Sequence, residues 1–316
     1  QRREAASSRG AGRGARVSAL RAATVRDALD SAVIAIGASG SATPRLDAEL
    51  LLAHALGVER TALFLDPDRE VGGGPARAFQ ALVRRRSVER APIAYLLGRQ
   101  AFRRIELAVD PRVLVPRPET ELLVEVALEL PPGARVLDVG TGSGAIALAV
   151  KDERPDVDVA GIDVSAQALA VARANAARLG LDVALAEGDL LTPIAPEAAA
   201  FPPDEAGPGG AGCAGGALAR PDAVLSNPPY VAEGDPLPPD VMRHEPLEAL
   251  LAGDDGLAVI RRLVPAAAAS TTLLLALEVG AGQAGPVAEL ARAGGFAHVA
   301  IRRDLAGIPR VVVATR

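Results

Sequence analysis

The run Val136-Leu-Asp-Val-Gly-Thr-Gly-Ser-Gly144 constrains the fold more than any other part of this 316-residue chain. An apolar stretch enters three alternate glycines, and a second apolar stretch follows at once. Glycine accepts the positive φ angles of a tight turn and lets other groups approach the backbone closely. The pattern therefore predicts a strand over Arg135–Val139, a turn, and a helix over Ala145–Glu153. The rhythm continues downstream. Val157–Asp163 reads as a strand, Ala166–Leu179 as a helix, Val183–Glu187 as a strand, Ala223–Ser226 and Leu273–Val279 as buried strands, and Gln283–Ala293 as a helix. Val299–Arg303 and Arg310–Thr315 read as an antiparallel hairpin around Gly307. Strands alternating with helices predict an α/β fold: a doubly wound, mostly parallel sheet whose last strand is antiparallel.

The remainder of the chain divides by composition. Residues 1–23 carry six arginines and one acid, Glu4, with no initiating Met; they read as a disordered extension, either a transit peptide or translated upstream sequence. Residues 24–90 read as a small helical bundle. Thr24 serves as N-cap for Val25–Ile36, Pro44 opens an apolar run that stops at Gly57, and Gly72-Gly-Gly-Pro75 is expected to break the chain before a helix over Ala76–Glu89. Residues 91–115 read as a connector of short strands and turns, leaving 116–316 for the α/β domain. Within it, residues 192–221 hold six prolines and six glycines, too many for regular structure, and are expected to form a flexible insertion.

Bulk chemistry removes several function classes. The formal net charge of -5 disfavours a large phosphate-binding surface. One cysteine, Cys213, permits neither an intrachain disulfide nor a cysteine zinc cluster, and suits a reducing, cytoplasmic setting. His54, His244 and His298 have no ligand-like spacing, so no metal is expected. The most apolar stretch, Val264–Val279, is interrupted by Ser270, Thr271, Thr272 and Glu278, so no membrane span is expected.

Three sites carry the chemistry. In the first, Gly140, Thr141, Gly142, Ser143 and Gly144 form the turn between strand and helix. A glycine-rich turn alone also serves dinucleotide cofactors, but GxGxG spacing rather than GxGxxG tilts toward S-adenosylmethionine. The second is Asp163, ending the next strand 19 residues after Gly144. A carboxylate there can accept both hydroxyls of a ribose; a solvated turn residue before an N-cap at Ser165 is the bland alternative. The third is Ser226-Asn-Pro-Pro-Tyr230. Two prolines fix the backbone and remove two amide donors while leaving the carbonyls able to accept. The Asn227 side-chain oxygen and the Pro228 carbonyl can together hold an NH2 group by both hydrogens, and Tyr230 offers a flat face to a planar amide or base. The alternative is a proline turn that merely closes a strand.

Together these residues resemble methyltransferases acting on planar NH2 groups. Such nitrogens are poor nucleophiles because their lone pair is delocalised, so the expected mechanism is positional, with no strong general base. The resemblance narrows further. Pro44-Arg-Leu-Asp-Ala-Glu-Leu-Leu-Leu-Ala-His-Ala-Leu-Gly57, Pro92-Ile-Ala-Tyr-Leu-Leu-Gly98, Val113-Leu-Val-Pro-Arg-Pro-Glu-Thr-Glu121, Glu245-Pro246, Gly253-Asp-Asp-Gly-Leu257, Leu277-Glu-Val-Gly280 with Gln283, and Asp304-Leu-Ala-Gly-Ile-Pro-Arg-Val311 are similar to the release-factor glutamine methyltransferase family of the HemK/PrmC type. That resemblance implies methylation of the glutamine amide in the Gly-Gly-Gln loop of peptide-chain release factors. It implies that Gly140–Gly144 line the methionine and ribose of S-adenosylmethionine, that Asp163 takes the ribose, and that Asp189 and Leu190 flank the adenine. It places Asn227 between cofactor and substrate, completes the glutamine pocket with Pro228, Pro229 and Tyr230, and sets Phe102 and Arg117–Thr120 at the methionine end. The helical domain then becomes a substrate-docking domain, and the protein a cytoplasmic monomer with no direct contact to nucleic acid or membrane. Leu190 departs from the aromatic usual in the family at that position, which puts adenine stacking in doubt. Two rivals remain: an adenine N6-methyltransferase, which would need a basic groove and a recognition domain, and an inactive cofactor-binding adaptor of the translation machinery.

Overall fold

The computed structural model describes residues 23–193, 221–270 and 272–316. The bulk of the N-terminal extension (residues 1–22) and of the expected insertion (residues 194–220) lies outside the described residues. The chain forms two compact units that divide after Arg84.

The first unit is helical: α1 Val25–Ala38, α2 Pro44–Leu56, α3 Ala62–Leu65 and α4 Gly73–Ser87, the last running across the division. Thr24 caps α1 as expected. Its hydroxyl accepts the Asp27 N–H while the Asp27 carboxylate accepts the Thr24 N–H at 2.9 Å, satisfying two otherwise orphaned donors. Within the α2 motif, buried Asp47 accepts from the Ser41 and Thr43 hydroxyls, and buried Glu49 pairs with Arg45 and Arg60. Val25, Leu29, Ile36, Leu51, Leu52 and Leu63 fill the interior. One expectation fails here. The glycines before Ala76 begin α4 rather than break the chain, because the first turn of a helix leaves its N–H groups unbonded anyway, so Pro75 there sacrifices nothing.

The second unit opens with α5 Ile93–Leu97 and the hairpin β1 Arg99–Phe102 and β2 Ile105–Ala108. Phe102, Leu107, Val109, Val113 and Val115 from this stretch belong to the main core cluster of the unit. Next come α6 Glu121–Leu128, β3 Arg135–Val139, α7 Ala145–Glu153, β4 Asp158–Asp163, α8 Ala166–Leu179, β5 Ala184–Asp189 and the two-residue β6 Thr192–Pro193. The chain then gives β7 Ala223–Ser226, α9 Pro239–His244, α10 Ala258–Ala269, β8 Leu274–Glu278, α11 Ala284–Ala293, β9 His298–Arg303 and β10 Pro309–Thr315. The sheet runs β6-β5-β4-β3-β7-β8-β10-β9. Strands β5, β4, β3, β7 and β8 run parallel, β6 is antiparallel to β5, and β10 is antiparallel to both of its neighbours. The doubly wound, mostly parallel reading therefore holds. The helix α10 was not anticipated. Its interior Pro265 and alanine run mask it, yet Ile260, Leu263, Val264 and Ala267 recur at helical spacing and are all buried. No helix among the described residues is long and apolar enough to cross a membrane.

Strand order reverses between β3 and β7, the switch point at which a doubly wound sheet opens a crevice beyond its carboxyl ends. Register decides what meets there. Val139 lies opposite Ile162 on one side and Ser226 on the other, and Ser226 lies opposite Leu277. The next residues of the four strands, Gly140, Asp163, Asn227 and Glu278, thus leave the sheet side by side.

Candidate active site

Each of these strand ends is fastened differently. In the glycine turn, Gly140, Gly142 and Gly144 all have positive φ, the region that disfavours residues with a Cβ. The turn is tied to β4 through Gly140 N–H and Thr141 N–H, which both donate to the Ile162 carbonyl at 2.8 and 3.1 Å. Asp163 completes the tie: one carboxylate oxygen accepts Gly142 N–H at 2.8 Å and the other accepts Ser165 N–H at 2.9 Å. Burial pushes its carboxyl above the ordinary range, while those backbone donors pull it back. Beneath the turn, fully buried Asp138 accepts from the Thr141 hydroxyl at 2.7 Å and from Ala147 N–H. Burial raises its carboxyl to about 7. Asn175 of α8, also fully buried, donates to the Ser143 and Ala108 carbonyls and accepts Ala108 N–H, binding the turn to the β2 end of the hairpin.

These groups face a cavity of about 280 Å³. Among the anticipated residues, Gly140–Ser143, Asp163, Asp189, Leu190 and Asn227–Pro229 line it. Gly144 does not; it is the N-cap of α7. Leu190 lines it from a left-handed backbone conformation, φ 55, which a branched residue adopts only when its surroundings enforce it. Asp189 beside it is exposed and paired with Arg262. Of the expected border at the methionine end, Thr120 lines the cavity, Arg117 turns to Glu245, and Phe102 is buried in the core without facing the cavity.

The Asn-Pro-Pro-Tyr loop is pinned at its start by the Ser226 hydroxyl, which donates to the Val139 carbonyl at 2.7 Å. Asn227 Nδ2 donates to Thr120 Oγ1 at 3.1 Å. With one N–H of its NH2 bound there, the oxygen of Asn227 stays available to accept. Tyr230 lies outside the cavity lining. Its ring packs on Gly280, and its hydroxyl donates to Glu278 Oε1 at 3.3 Å. Burial and the neighbouring Glu278 raise the phenol well above its ordinary range, so Tyr230 stays a neutral donor. Its backbone is clamped as well: Gln283 Nε2 donates to the Tyr230 carbonyl at 2.9 Å while Gln283 Oε1 accepts Gly280 N–H. Gly256 passes so close that an added Cβ would sit 2.2 Å from the Tyr230 carbonyl oxygen, at a φ of +72. Only glycine fits there.

The wall formed by residues 112–120 is stitched on in the same manner. Buried Glu245 receives Arg117 at 2.5 Å and Val115 N–H at 3.3 Å, and the Tyr95 hydroxyl donates to the Val113 carbonyl at 2.6 Å. Thr120, Glu245, Glu278, Gln283 and Asn175 had no role derived from spacing. All except Asn175 sit in or beside motifs quoted above, which was the only available signal. Each reaches at least one partner more than 30 positions away in sequence.

Known proteins carry the same organisation. A family model described as the PrmC N-terminal domain matches residues 27–98, and one described as the methyltransferase small domain matches residues 118–201. A release factor glutamine methyltransferase of Mycolicibacterium smegmatis is 40% identical over 310 residues, covering 92% of this chain and 98% of the relative. One of Burkholderia pseudomallei is 44% identical over 271 residues, covering 84% and 90%. A crystal structure of a release factor-specific protein-(glutamine-N5) methyltransferase from Alicyclobacillus acidocaldarius is 30% identical, covering 66% of this chain and 98% of that one, with a TM-score of 0.35.

Proposed function

We propose a reaction from a premise the relatives establish: this chain belongs to the release factor glutamine methyltransferase family. It is an S-adenosylmethionine-dependent enzyme, and the substrate we assign to it is the side-chain amide of the glutamine in the Gly-Gly-Gln loop of a peptide-chain release factor. The observation that carries the amide assignment is the commitment of Asn227 Nδ2 to Thr120. It leaves a carbonyl-type oxygen at the crevice, matched to an NH2 donor.

The crevice fits the cofactor by the chemistry of its groups. Asp163 holds both carboxylate oxygens steady on backbone N–H groups and keeps lone pairs for the hydroxyls of a ribose. Val139, Ile162 and Leu190 supply apolar surface for a base. When bound, S-adenosylmethionine supplies a methyl group on a positively charged sulfur, so transfer forms a nitrogen–carbon bond, breaks a sulfur–carbon bond and releases one amide proton. The residues of this chain do the positioning. Gly140–Ser143 and Asp163 bind the methionine and ribose side, with Gly144 starting the helix behind them, and Asp189 with Leu190 flanks the adenine. Asn227 and the Pro228 carbonyl turn the substrate nitrogen toward the methyl, Pro229 closes the amide pocket, and Tyr230 anchors the loop from outside the cavity lining. Orientation of this kind is the main term available for so weak a nucleophile. The helical unit serves as a docking surface, its binding energy spent on holding the loop. Action as a monomer in the cytoplasm, without nucleic acid or membrane partners, completes the proposal.

Labelled S-adenosylmethionine with a full-length release factor tests the reading. Label is expected on the glutamine and is lost when that glutamine is changed to glutamate, because a carboxylate has no NH2 to offer Asn227. A short Gly-Gly-Gln peptide is expected to be a poorer substrate; equal efficiency would remove the docking role alone. Label on adenine-containing DNA, with none on the release factor, would overturn the assignment in favour of a base methyltransferase.

A further inference from the structure

Asn175 on α8 is 0% exposed and does not line the cavity. Burying an amide is costly unless each of its groups finds a partner, and here each does. Ala108 faces Arg99 in the β1–β2 pair, while Val109 N–H donates to the Gly98 carbonyl. That alternation turns both backbone groups of Ala108 away from β1. Asn175 meets them there: its Oδ1 accepts Ala108 N–H at 2.8 Å, and its Nδ2 donates to the Ala108 carbonyl at 3.0 Å. The other Nδ2 hydrogen goes to the Ser143 carbonyl, also at 3.0 Å. That carbonyl is open because the nearest helical donor, Ala147 N–H, is given to Asp138. Among the described residues, no other side chain bonds both the glycine turn and the stretch that leads into the wall of residues 112–120.

We propose that Asn175 is a positioning residue for methyl transfer: it holds the cofactor turn, at Ser143, and the foot of the crevice wall, at Ala108, in one fixed relation. Ser143 lines the cavity on the side assigned to the cofactor. Beyond Ala108 the chain lines the cavity with Arg112, Val113, Leu114 and Pro116. It then reaches Thr120, which lines the cavity too and bonds Asn227 at 3.1 Å. This rests on the roles proposed above for the glycine turn and Asn227. The turn has further ties to Ile162, Asp163 and Asp138, so it keeps its own shape without Asn175. What the amide adds is the spacing between turn and wall. A misplacement of about 1 Å, set far from the reacting atoms, can cost about 10²-fold in rate.

Asn175→Leu and Asn175→Asp test this at nearly constant volume. The first removes all three bonds. The second keeps an acceptor for Ala108 N–H but sets an oxygen against both carbonyls. Each is expected to lower kcat for the release factor by about 10- to 10²-fold, with S-adenosylmethionine affinity by calorimetry near wild type. In Asn175→Asp the loss relative to wild type should shrink as pH falls, because a protonated carboxyl regains one donor. Val171→Ala, on the same helix and buried away from the cavity, is the control for lost packing. It should lower the melting temperature and leave kcat at the wild-type value. Hydrogen exchange should quicken across residues 108–120 in the Asn175 variants and stay slow across residues 140–148. Wild-type kcat in both Asn175 variants would overturn the proposal. So would a loss of cofactor affinity as large as the loss in kcat, or a fall in kcat that Val171→Ala reproduces at the same melting temperature. If neither variant folds, Asn175→Ala, a milder truncation, is judged by the same split. A wild-type protein that leaves the glutamine unlabelled would instead refute the proposed function, and the exchange pattern and cofactor affinity would still test the bridge.

Discussion

The two walls of the crevice are assembled over very different distances along the chain. Apart from Asp189 and Leu190, the wall assigned to the cofactor comes from one continuous stretch, Val136–Ser165, whose main ties join Gly142 to Asp163 and Thr141 to Asp138. The wall assigned to the substrate is a five-residue loop held by groups from far away. Thr120 reaches Asn227 across 107 positions, and Gln283 and Glu278 reach Tyr230 across 53 and 48. A locally closed turn keeps its shape wherever the surrounding strand and helix form. A loop held at long range keeps its shape only if several separate segments arrive together. The second wall should therefore respond to substitutions that touch neither ligand, while the first should not.

Asn227→Ala separates the walls most sharply. Removing the acceptor that orients the substrate amide is expected to lower kcat by about 10²–10³, with S-adenosylmethionine affinity far less affected. Steady-state kinetics beside calorimetry of cofactor binding checks this; equal losses in both would mean that Asn227 chiefly serves the cofactor and that the walls are not independent. Asp163→Ala is the mirror test. Loss of a charge-assisted contact worth about 1.5–3 kcal/mol should weaken cofactor affinity by about 10- to 100-fold while kcat at saturating cofactor changes little. Should kcat collapse with affinity intact, the ribose role would be wrong. The smallest effect is expected from Gly256→Ala, which touches neither ligand. Its Cβ would collide with the Tyr230 carbonyl, and the backbone strain alone costs about 1–3 kcal/mol. A lower melting temperature and a roughly tenfold lower kcat are expected, with cofactor affinity retained. Unchanged kcat would show that the loop can shift without losing its function, and the contrast between the walls would then be structural only.

Much of the architecture was legible in the residues. Strand and helix positions from Arg135 to Leu179 followed from apolar periodicity and glycine spacing, and the N-cap at Thr24 from its side-chain chemistry. Two helices escaped, in part or in whole, for a shared reason. The Gly72–Pro75 run was read as a break although Pro75 occupies a first helical turn, and the helix around Pro265, for which no reading was made, is held by its buried face. Proline marks a missing donor, and only the surrounding packing decides whether that donor was needed.

What the sequence by itself determined is the set of groups that can do chemistry: a glycine turn, a carboxylate at a strand end, and an amide followed by two prolines. Each is a local arrangement, fixed by backbone geometry within a few residues. The tertiary structure alone decided which of them face one another and which way they point. Sheet register sets Gly140, Asp163, Asn227 and Glu278 at one edge, and the contact with Thr120 turns the Asn227 amide. Spacing along a chain carries no information about either. Register depends on which strands pair, and the direction of a side-chain amide depends on which donor or acceptor the fold delivers to it.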